Sequence, residues 1–176
     1  AYLKGFHVSS GPERVFQLGF EYRDPDFWWF GATMNHFSKS YVDISTLKRT
    51  AAFTIDFDLV PESTFTQGGK IDGFIFNDFN KENAKKLLKQ EILDSYPLVN
   101  ISGGKSWKIG NYYLGFFATI NNLFNQKYKT GGFEQSRQIG YRDQIQEQNN
   151  EHGSLFGNRY FFGNGTTYFL NLSLRF

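Results

Sequence analysis

The sequence contains no cysteine and no long apolar run among its 176 residues. Without cysteine the chain has neither disulfides nor thiolate metal ligands. No stretch approaches the roughly 18 consecutive apolar residues of a membrane-spanning helix. The formal net charge is only +2, with no basic tail, so nothing indicates a nucleic-acid partner. These absences exclude disulfide scaffolds, helical membrane spans and strongly basic nucleic-acid-binding domains.

Aromatic residues are abundant instead. The chain has 21 Phe, 10 Tyr and 3 Trp, 19% of all residues, yet its mean hydropathy is -0.47. A soluble core needs fewer rings, whereas a membrane β-barrel has aromatic girdles around a polar lumen. Only helices and closed barrels satisfy every backbone polar group in lipid, so a membrane-spanning form of this chain would be a barrel. No signal peptide precedes the first residues, and we therefore expect a mature form or a piece of a longer protein.

Residues 166–176 alternate between apolar and polar side chains. Asn171, Ser173 and Arg175 have one parity, and the opposite parity is apolar: Tyr168, Leu170, Leu172, Leu174 and Phe176. Because strand side chains alternate between faces, one face suits hydrocarbon and the other suits a wet lumen. The length also fits the 9 to 11 or so residues of a tilted membrane strand. The last strand of a soluble β-sandwich would give the same pattern, so both interpretations stay open at this point.

Similar alternation predicts six strands, at residues 2–9, 14–22, 27–37, 98–107, 112–124 and 166–176. Long segments at 38–96 and 125–165 separate some of them, whereas the turns at 23–26 and 108–111 are tight. Short periplasmic turns alternating with long extracellular loops are typical of outer-membrane barrels. The predicted fold is therefore all-β, a transmembrane antiparallel β-barrel with two long extracellular loops, and residues 1–176 form part of one barrel domain.

The first long segment contains competing patterns. Residues 53–59 and 71–76 alternate, and as two further strands they would complete a self-contained eight-stranded barrel. Residues 80–96 follow a helical period instead, with Asn80 as N-cap and Pro97 ending the helix. The apolar face of this helix is Ala84, Leu87, Leu88 and Ile92. A membrane strand does not accommodate such a helix, so we expect most of the segment in an ordered loop outside the membrane.

Several stretches carry a resemblance to a known family. They are Tyr22 to Trp29 (YRDPDFWW), Gly103 to Trp107 (GGKSW), Asn121 to Tyr128 (NNLFNQKY) and Lys129 to Glu134 (KTGGFE). Together with a last strand ending in Phe176, they resemble the C-terminal end of TonB-dependent outer-membrane receptors. The resemblance is to Bacteroidetes members, which often carry a carboxypeptidase-like regulatory domain. The terminal strand also resembles the signal read by the barrel-assembly machinery, which gives that role to Tyr168, Leu170, Leu172, Leu174 and Phe176.

The resemblance implies that the chain supplies the last six strands of a 22-stranded barrel in the bacterial outer membrane. The rest of such a receptor, with its plug, TonB box and preceding strands, is missing from the chain. Its partners would be outer-membrane lipid, the remainder of the receptor, TonB through that missing part, and a surface lipoprotein. The implied function is energised uptake of a polar ligand such as a glycan, peptide or chelate. An outer-membrane barrel subunit acting as an assembly scaffold, without transport, is the alternative.

Polar and aromatic residues of the second half suit ligand contacts by stacking and hydrogen bonding: Tyr141, Arg142, Gln144, Gln146 and Tyr160. Packing of the loops against one another would explain the same residues. No enzyme activity and no cofactor are expected. Lys105 follows Gly104 inside a strand without the glycine pattern of a phosphate loop. Asp56, Asp58 and Glu62 lack the rest of a calcium loop. His36 near Ser38 is the nearest candidate for a hydrolase site, but an ordinary residue at the membrane interface explains this histidine more simply.

Overall fold

Antiparallel β-strands make up most of the ordered structure. In the computed structural model, which describes residues 3–66, 68–137, 140–151 and 153–176, the strands are β1 Arg14–Arg23, β2 Trp28–Ser38, β3 Ser40–Tyr41, β4 Ile92–Leu93, β5 Tyr96–Ile109, β6 Tyr112–Asn121, β7 Lys129–Phe133, β8 Arg159–Phe162 and β9 Thr167–Arg175. A five-stranded sheet has the order β1-β2-β5-β6-β9, and β3 with β4 and β7 with β8 form two short ladders. This mostly β, antiparallel structure agrees with the all-β part of the predicted fold class.

The helices are short: α1 Glu62–Thr66, α2 Lys81–Leu87 and α3 Tyr141–Gln148, with 3-10 turns at Leu47–Arg49, Ala51–Phe53 and Phe57–Leu59. The chain divides into two compact units. The sheet unit comprises Gly11–Ser40, Ile92–Thr130 and Phe161–Phe176, and the insert unit comprises Ala1–Ser10, Tyr41–Glu91 and Gly131–Tyr160. The sheet unit thus contains every strand of the five-stranded sheet.

Tight turns at one end connect β1 to β2 and β5 to β6. In the first turn the Asp24 amide donates to the Trp28 carbonyl at 2.9 Å, and Phe27 adopts a positive φ of 63°. In the second, Gly110 supplies the positive φ of 62°, which glycine adopts at no steric cost. These turns lie where the sequence predicts them.

Five of the six predicted strands are present, as β1, β2, β5, β6 and β9. The prediction of a strand at 2–9 is wrong, because residues 3–9 form a turn and irregular backbone. The side chain of Gln90 hydrogen-bonds the backbone of His7, as a neighbouring strand would have done. The His7 amide donates to Gln90 Oε1 at 2.8 Å, and Gln90 Nε2 donates to the His7 carbonyl at 2.9 Å.

The two segments considered as further strands do not form them. Phe57–Leu59 and Ala51–Phe53 are 3-10 turns, and a single bridge joins Ile55 to Ile75. An eight-stranded barrel built from these segments is therefore contradicted.

The predicted helix after Asn80 is confirmed in position but is shorter than expected. Asn80 Oδ1 accepts from the amides of Glu82 at 2.9 Å and Asn83 at 3.1 Å, which caps α2. The helix ends at Leu87, and Pro97 lies inside β5. Ala84 faces inward with Phe53 and Tyr141, and these buried residues form the core of the insert unit. Most of this unit comes from the two segments predicted as long loops, which share this hydrophobic core.

Candidate functional site

The register of the five-stranded sheet places most of the apolar side chains of its strands on one face. Directly opposed residues share a face in an antiparallel sheet. One such row crosses the whole sheet: Phe20, Ala32, Ile101, Ile120 and Tyr168. The next row toward the tight turns is Tyr22, Phe30, Gly103, Ala118 and Leu170. We call the surface containing these rows the apolar face.

The opposite surface of the sheet is mainly polar. One of its rows is Glu21, Gly31, Ser102, Thr119 and Phe169. Aromatic rings on this side are grouped, since Trp29 lies 5.9 Å from Phe117 and Phe117 lies 6.2 Å from Phe169. The sheet therefore separates an apolar surface from a polar one along its full width.

Two charges occur on the apolar face of the five strands, one at the start of β1 and one four residues before the end of β5. Among the residues of the five strands, all within the described ranges, Arg14 and Lys105 are the only Asp, Glu, Lys or Arg on this face. On β2, Ser38 is opposite Arg14 and Trp28 is opposite Lys105. These two β2 residues are ten positions apart. At about 3.3 Å per residue this is roughly 33 Å along the strand. A tilt of about 40° reduces it to roughly 25 Å, the height of the apolar band of an outer-membrane barrel.

Aromatic rings cluster on the apolar face beside the tight turn between β1 and β2. The Tyr22 ring lies 5.2 Å from that of Trp28 and 5.9 Å from that of Phe30. The Lys105 ammonium points toward the same end of the sheet, because it lies 5.8 Å from the ring centroid of Trp107. Rings with a polar tip and a long cationic side chain suit a boundary between hydrocarbon and water.

The terminal strand presents its predicted apolar set to the surface. Tyr168 is 84% exposed and Phe176, which follows the end of β9, is 93% exposed. Leu170, Leu172 and Leu174 are also exposed. Within the described residues, β9 and β1 form the two edges of the sheet. The outer side of each edge offers unpaired backbone groups to further strands.

Tyr141, a predicted ligand contact, is buried in the insert unit. Its side chain is 1% exposed, and its ring lies 5.0 Å from that of Phe79 and 6.0 Å from that of Phe53. Its hydroxyl accepts the Asn80 amide at 3.2 Å. Tyr141 thus holds the core together and leaves no surface for a ligand.

Gln144 and Tyr160 also contact other parts of the insert unit. Gln144 Oε1 accepts from Lys48 Nζ at 3.2 Å. The Tyr160 hydroxyl is 2.9 Å and 3.0 Å from the two Glu91 carboxylate oxygens. Burial, and then this carboxylate, raise the pKa of Tyr160. Both residues bind segments of the unit to each other, as the packing interpretation expects.

Arg142 and Gln146 are the members of the predicted set with exposed side chains. Arg142 is nevertheless engaged, because it donates to Asp56 at 3.2 Å and to Asp78 at 3.1 Å. Asp56 is buried and also accepts the Asp58 amide at 3.2 Å, so its carboxylate is committed to protein groups. Asp56 is thus a hydrogen-bonded partner of Arg142 within the insert unit.

A buried ion pair that the sequence did not reveal lies in the same unit. The side chains of Arg49 and Glu134 are 2% and 9% exposed, and the guanidinium donates to both carboxylate oxygens. Arg49 also donates to the carbonyls of Ser45 at 2.9 Å and Leu88 at 3.0 Å. The Ser45 amide donates to Glu134 at 3.0 Å. These bonds connect three segments of the insert unit that are distant in sequence.

Lys48 is a second buried cation beside this pair. The residue is 5% exposed, and burial lowers the pKa of Lys48 from its ordinary value of 10.5, while the Glu134 carboxylate opposes this effect. The neighbouring Arg49 charge lowers it further. Removing Glu134 would thus leave two buried cations without their shared anion.

No cluster suited to a metal ion occurs in the part of the chain that the structure describes. His36 is directly opposed to Phe16 and so lies on the apolar face, while Ser40 is buried. Within the described residues, no helix is both long and apolar enough to cross a membrane. None of the family models, curated proteins or solved structures compared with the chain matches it. Functional inference therefore depends on the residues of the chain itself.

Replacing Glu134 with alanine should destabilise the insert unit, because it leaves the Arg49 charge buried and unpaired. We expect a loss of about 3 to 5 kcal/mol. Hydrogen exchange of the Ala84 and Leu88 amides measures it, with the Ser102 amide of the sheet unit as internal reference. Glu82→Ala is the matched control, since Glu82 is 72% exposed in its pair with Lys85. Equal exchange in both variants would contradict the assigned role of the buried pair.

Proposed function

We infer that this chain is the C-terminal barrel segment of a TonB-dependent transporter of the bacterial outer membrane. The observation that carries this proposal is the apolar face, which crosses five strands and carries two charges among their residues. In a bilayer that face would meet lipid, and the polar face would line the lumen. The stretch of β2 between the partners of the two charges, Trp28 and Ser38, would rise by roughly 25 Å in a tilted membrane strand, which fits the height of a barrel's apolar band.

Strand length favours a membrane barrel over a soluble sandwich. The five strands contain 10, 11, 14, 10 and 9 residues. Strands of globular proteins commonly have about 5 to 6 residues, whereas membrane strands need about 9 to 11. The aromatic cluster around Trp28 would then form part of a girdle at the membrane boundary.

The edges of the sheet favour a larger barrel. Five strands are too few to close one, since the minimum is about eight. An open edge in hydrocarbon would leave backbone groups unsatisfied, so β1 and β9 need partner strands. The remainder of the receptor would supply them, as the resemblance implies. The segment would then provide barrel wall, and the insert unit would lie outside the membrane.

Energised uptake is the part of the proposal supported by the family resemblance. A plug and a TonB box would belong to the missing N-terminal part, and a surface lipoprotein is a further partner implied by the family. The ligand would be polar, such as a glycan, peptide or chelate. Of the five predicted contacts, Arg142 and Gln146 are the two with exposed side chains. A non-transporting assembly scaffold would use the same barrel wall and remains the alternative.

Spin labels on adjacent residues of β9 test the membrane orientation. Leu170 is on the apolar face and Asn171 is on the polar face. In outer membranes, a label at Leu170→Cys should be relaxed mainly by oxygen, which concentrates in lipid. A label at Asn171→Cys should be relaxed mainly by a water-soluble nickel complex. Equal accessibility of both labels to the nickel complex would exclude the proposed lipid-facing surface.

The mass of the native polypeptide tests whether the chain belongs to a large receptor. On a denaturing gel after boiling, we expect a band several-fold heavier than the 20.4 kDa of this sequence. A TonB box in that polypeptide would support transport, and a heavy polypeptide without one would support the scaffold alternative. A band near 20.4 kDa would contradict the 22-stranded proposal.

Deleting Phe176 should lower the yield of folded protein in outer membranes. Phe176 follows the last residue of β9 and is 93% exposed, so a loss of yield would reflect recognition by the assembly machinery rather than lost packing. The fraction that migrates as folded protein without boiling measures the yield. Phe162→Ala is the control, because Phe162 is also exposed, at 67%, and lies outside the terminal strand. Normal yield after the deletion would refute an assembly role.

A further inference from the structure

The apolar face contains a shallow depression of about 410 Å³. Three small residues, Ala32, Gly103 and Ala118, lie in it on adjacent strands, between the larger side chains of Phe30 and Ile101. A larger residue at Gly103 would not fit easily, since an added Cβ would lie 3.0 Å from the Trp29 carbonyl oxygen. The depression is therefore a consequence of residue size along β2, β5 and β6.

Volume and lining restrict what could occupy this depression. Ligand pockets commonly measure about 300 to 1,000 Å³, so it is large enough for part of an organic molecule. The exposed lining is almost entirely apolar. A hydrocarbon chain suits such a surface, whereas a polar group would lose hydrogen bonds to water there.

Lys105 adds a positive charge beside the depression. It lies two residues beyond Gly103 on β5, on the same face and about 6.6 Å further along the strand. Its ammonium is directed toward Trp107 and hence toward the tight turns. The other charge of the face, Arg14, lies at the opposite end. An occupant with an apolar chain and an anionic group at one end would match both the depression and Lys105.

We propose that the depression and Lys105 form a binding site for one anionic diacyl phospholipid of the phosphatidylglycerol type. This inference depends on the proposed membrane orientation, in which the tight turns face the periplasm. An acyl chain occupies the depression, and the phosphate contacts the Lys105 ammonium at the periplasmic leaflet. A bilayer supplies both parts of this ligand at the required depth. An acidic protein partner would need an apolar segment of its own aligned with the same charge.

Native mass spectrometry of the detergent-extracted protein tests the site. The probes are phosphatidylglycerol and phosphatidylcholine with identical acyl chains. We expect about fivefold preference for phosphatidylglycerol, and Lys105→Gln should abolish it. Ala118→Leu should reduce binding of both lipids by filling the depression. Lys108→Gln is the matched control, because Lys108 lies on the same strand but on the polar face.

Equal binding of the two lipids, or equal loss of preference in Lys105→Gln and Lys108→Gln, would overturn the lipid site. If Ala118→Leu changes the oligomeric mass without changing lipid binding, a protein covers the depression. That result would also overturn the lipid site. The spin labels at positions 170 and 171 distinguish failure of the lipid site from failure of the proposed membrane function. Lipid exposure at position 170 without phosphatidylglycerol preference would reject the lipid site alone.

Discussion

Backbone pairing across five adjacent strands is the constraint on which the other features of the sheet depend. The register decides which face each side chain occupies, because a shift of one residue moves a whole strand's side chains to the other face. A shift of β5 by one residue would put either Asn100 or Ser102 between Ala32 and Ile120. Lys105 would then move to the polar face. The same pairing leaves β1 and β9 as edges, which hydrocarbon tolerates only when further strands pair with them.

The positions of the sheet strands were predictable because alternation is a local property. β2 and β9 begin and end within one or two residues of their predicted bounds. The strand predicted at 2–9 is wrong for a related reason. Alternation is local and does not reveal that the distant side chain of Gln90 hydrogen-bonds the His7 backbone. Asn80 was predictable as a cap because its partners follow within three residues. Local sequence patterns of this kind locate strands and helices, but they do not show which distant segments contact each other.

The insert unit depends on distant contacts, which explains why its candidate site was predicted less well. Arg49 and Glu134 are separated by 85 positions, and no pattern near either residue indicates the other. Tyrosine is a common residue type in ligand contacts, yet the ring of Tyr141 packs with Phe53 and Phe79 in the core. An aromatic residue with a hydroxyl suits either role, and only tertiary packing distinguishes them. Arg142 has an exposed side chain, but its carboxylate partners Asp56 and Asp78 were not foreseen.

A small core makes the buried ion pair important for specificity in the insert unit. Its fully buried residues are few, and Phe53, Ala84 and Tyr141 come from two separate segments. Apolar contacts among so few residues would allow several arrangements of similar free energy. Arg49 restricts them, because its donors reach Glu134, Ser45 and Leu88 only in one arrangement. Any other packing would leave a buried charge unpaired, at a cost of several kcal/mol. The pair therefore adds a penalty to any arrangement that separates Arg49 from Glu134.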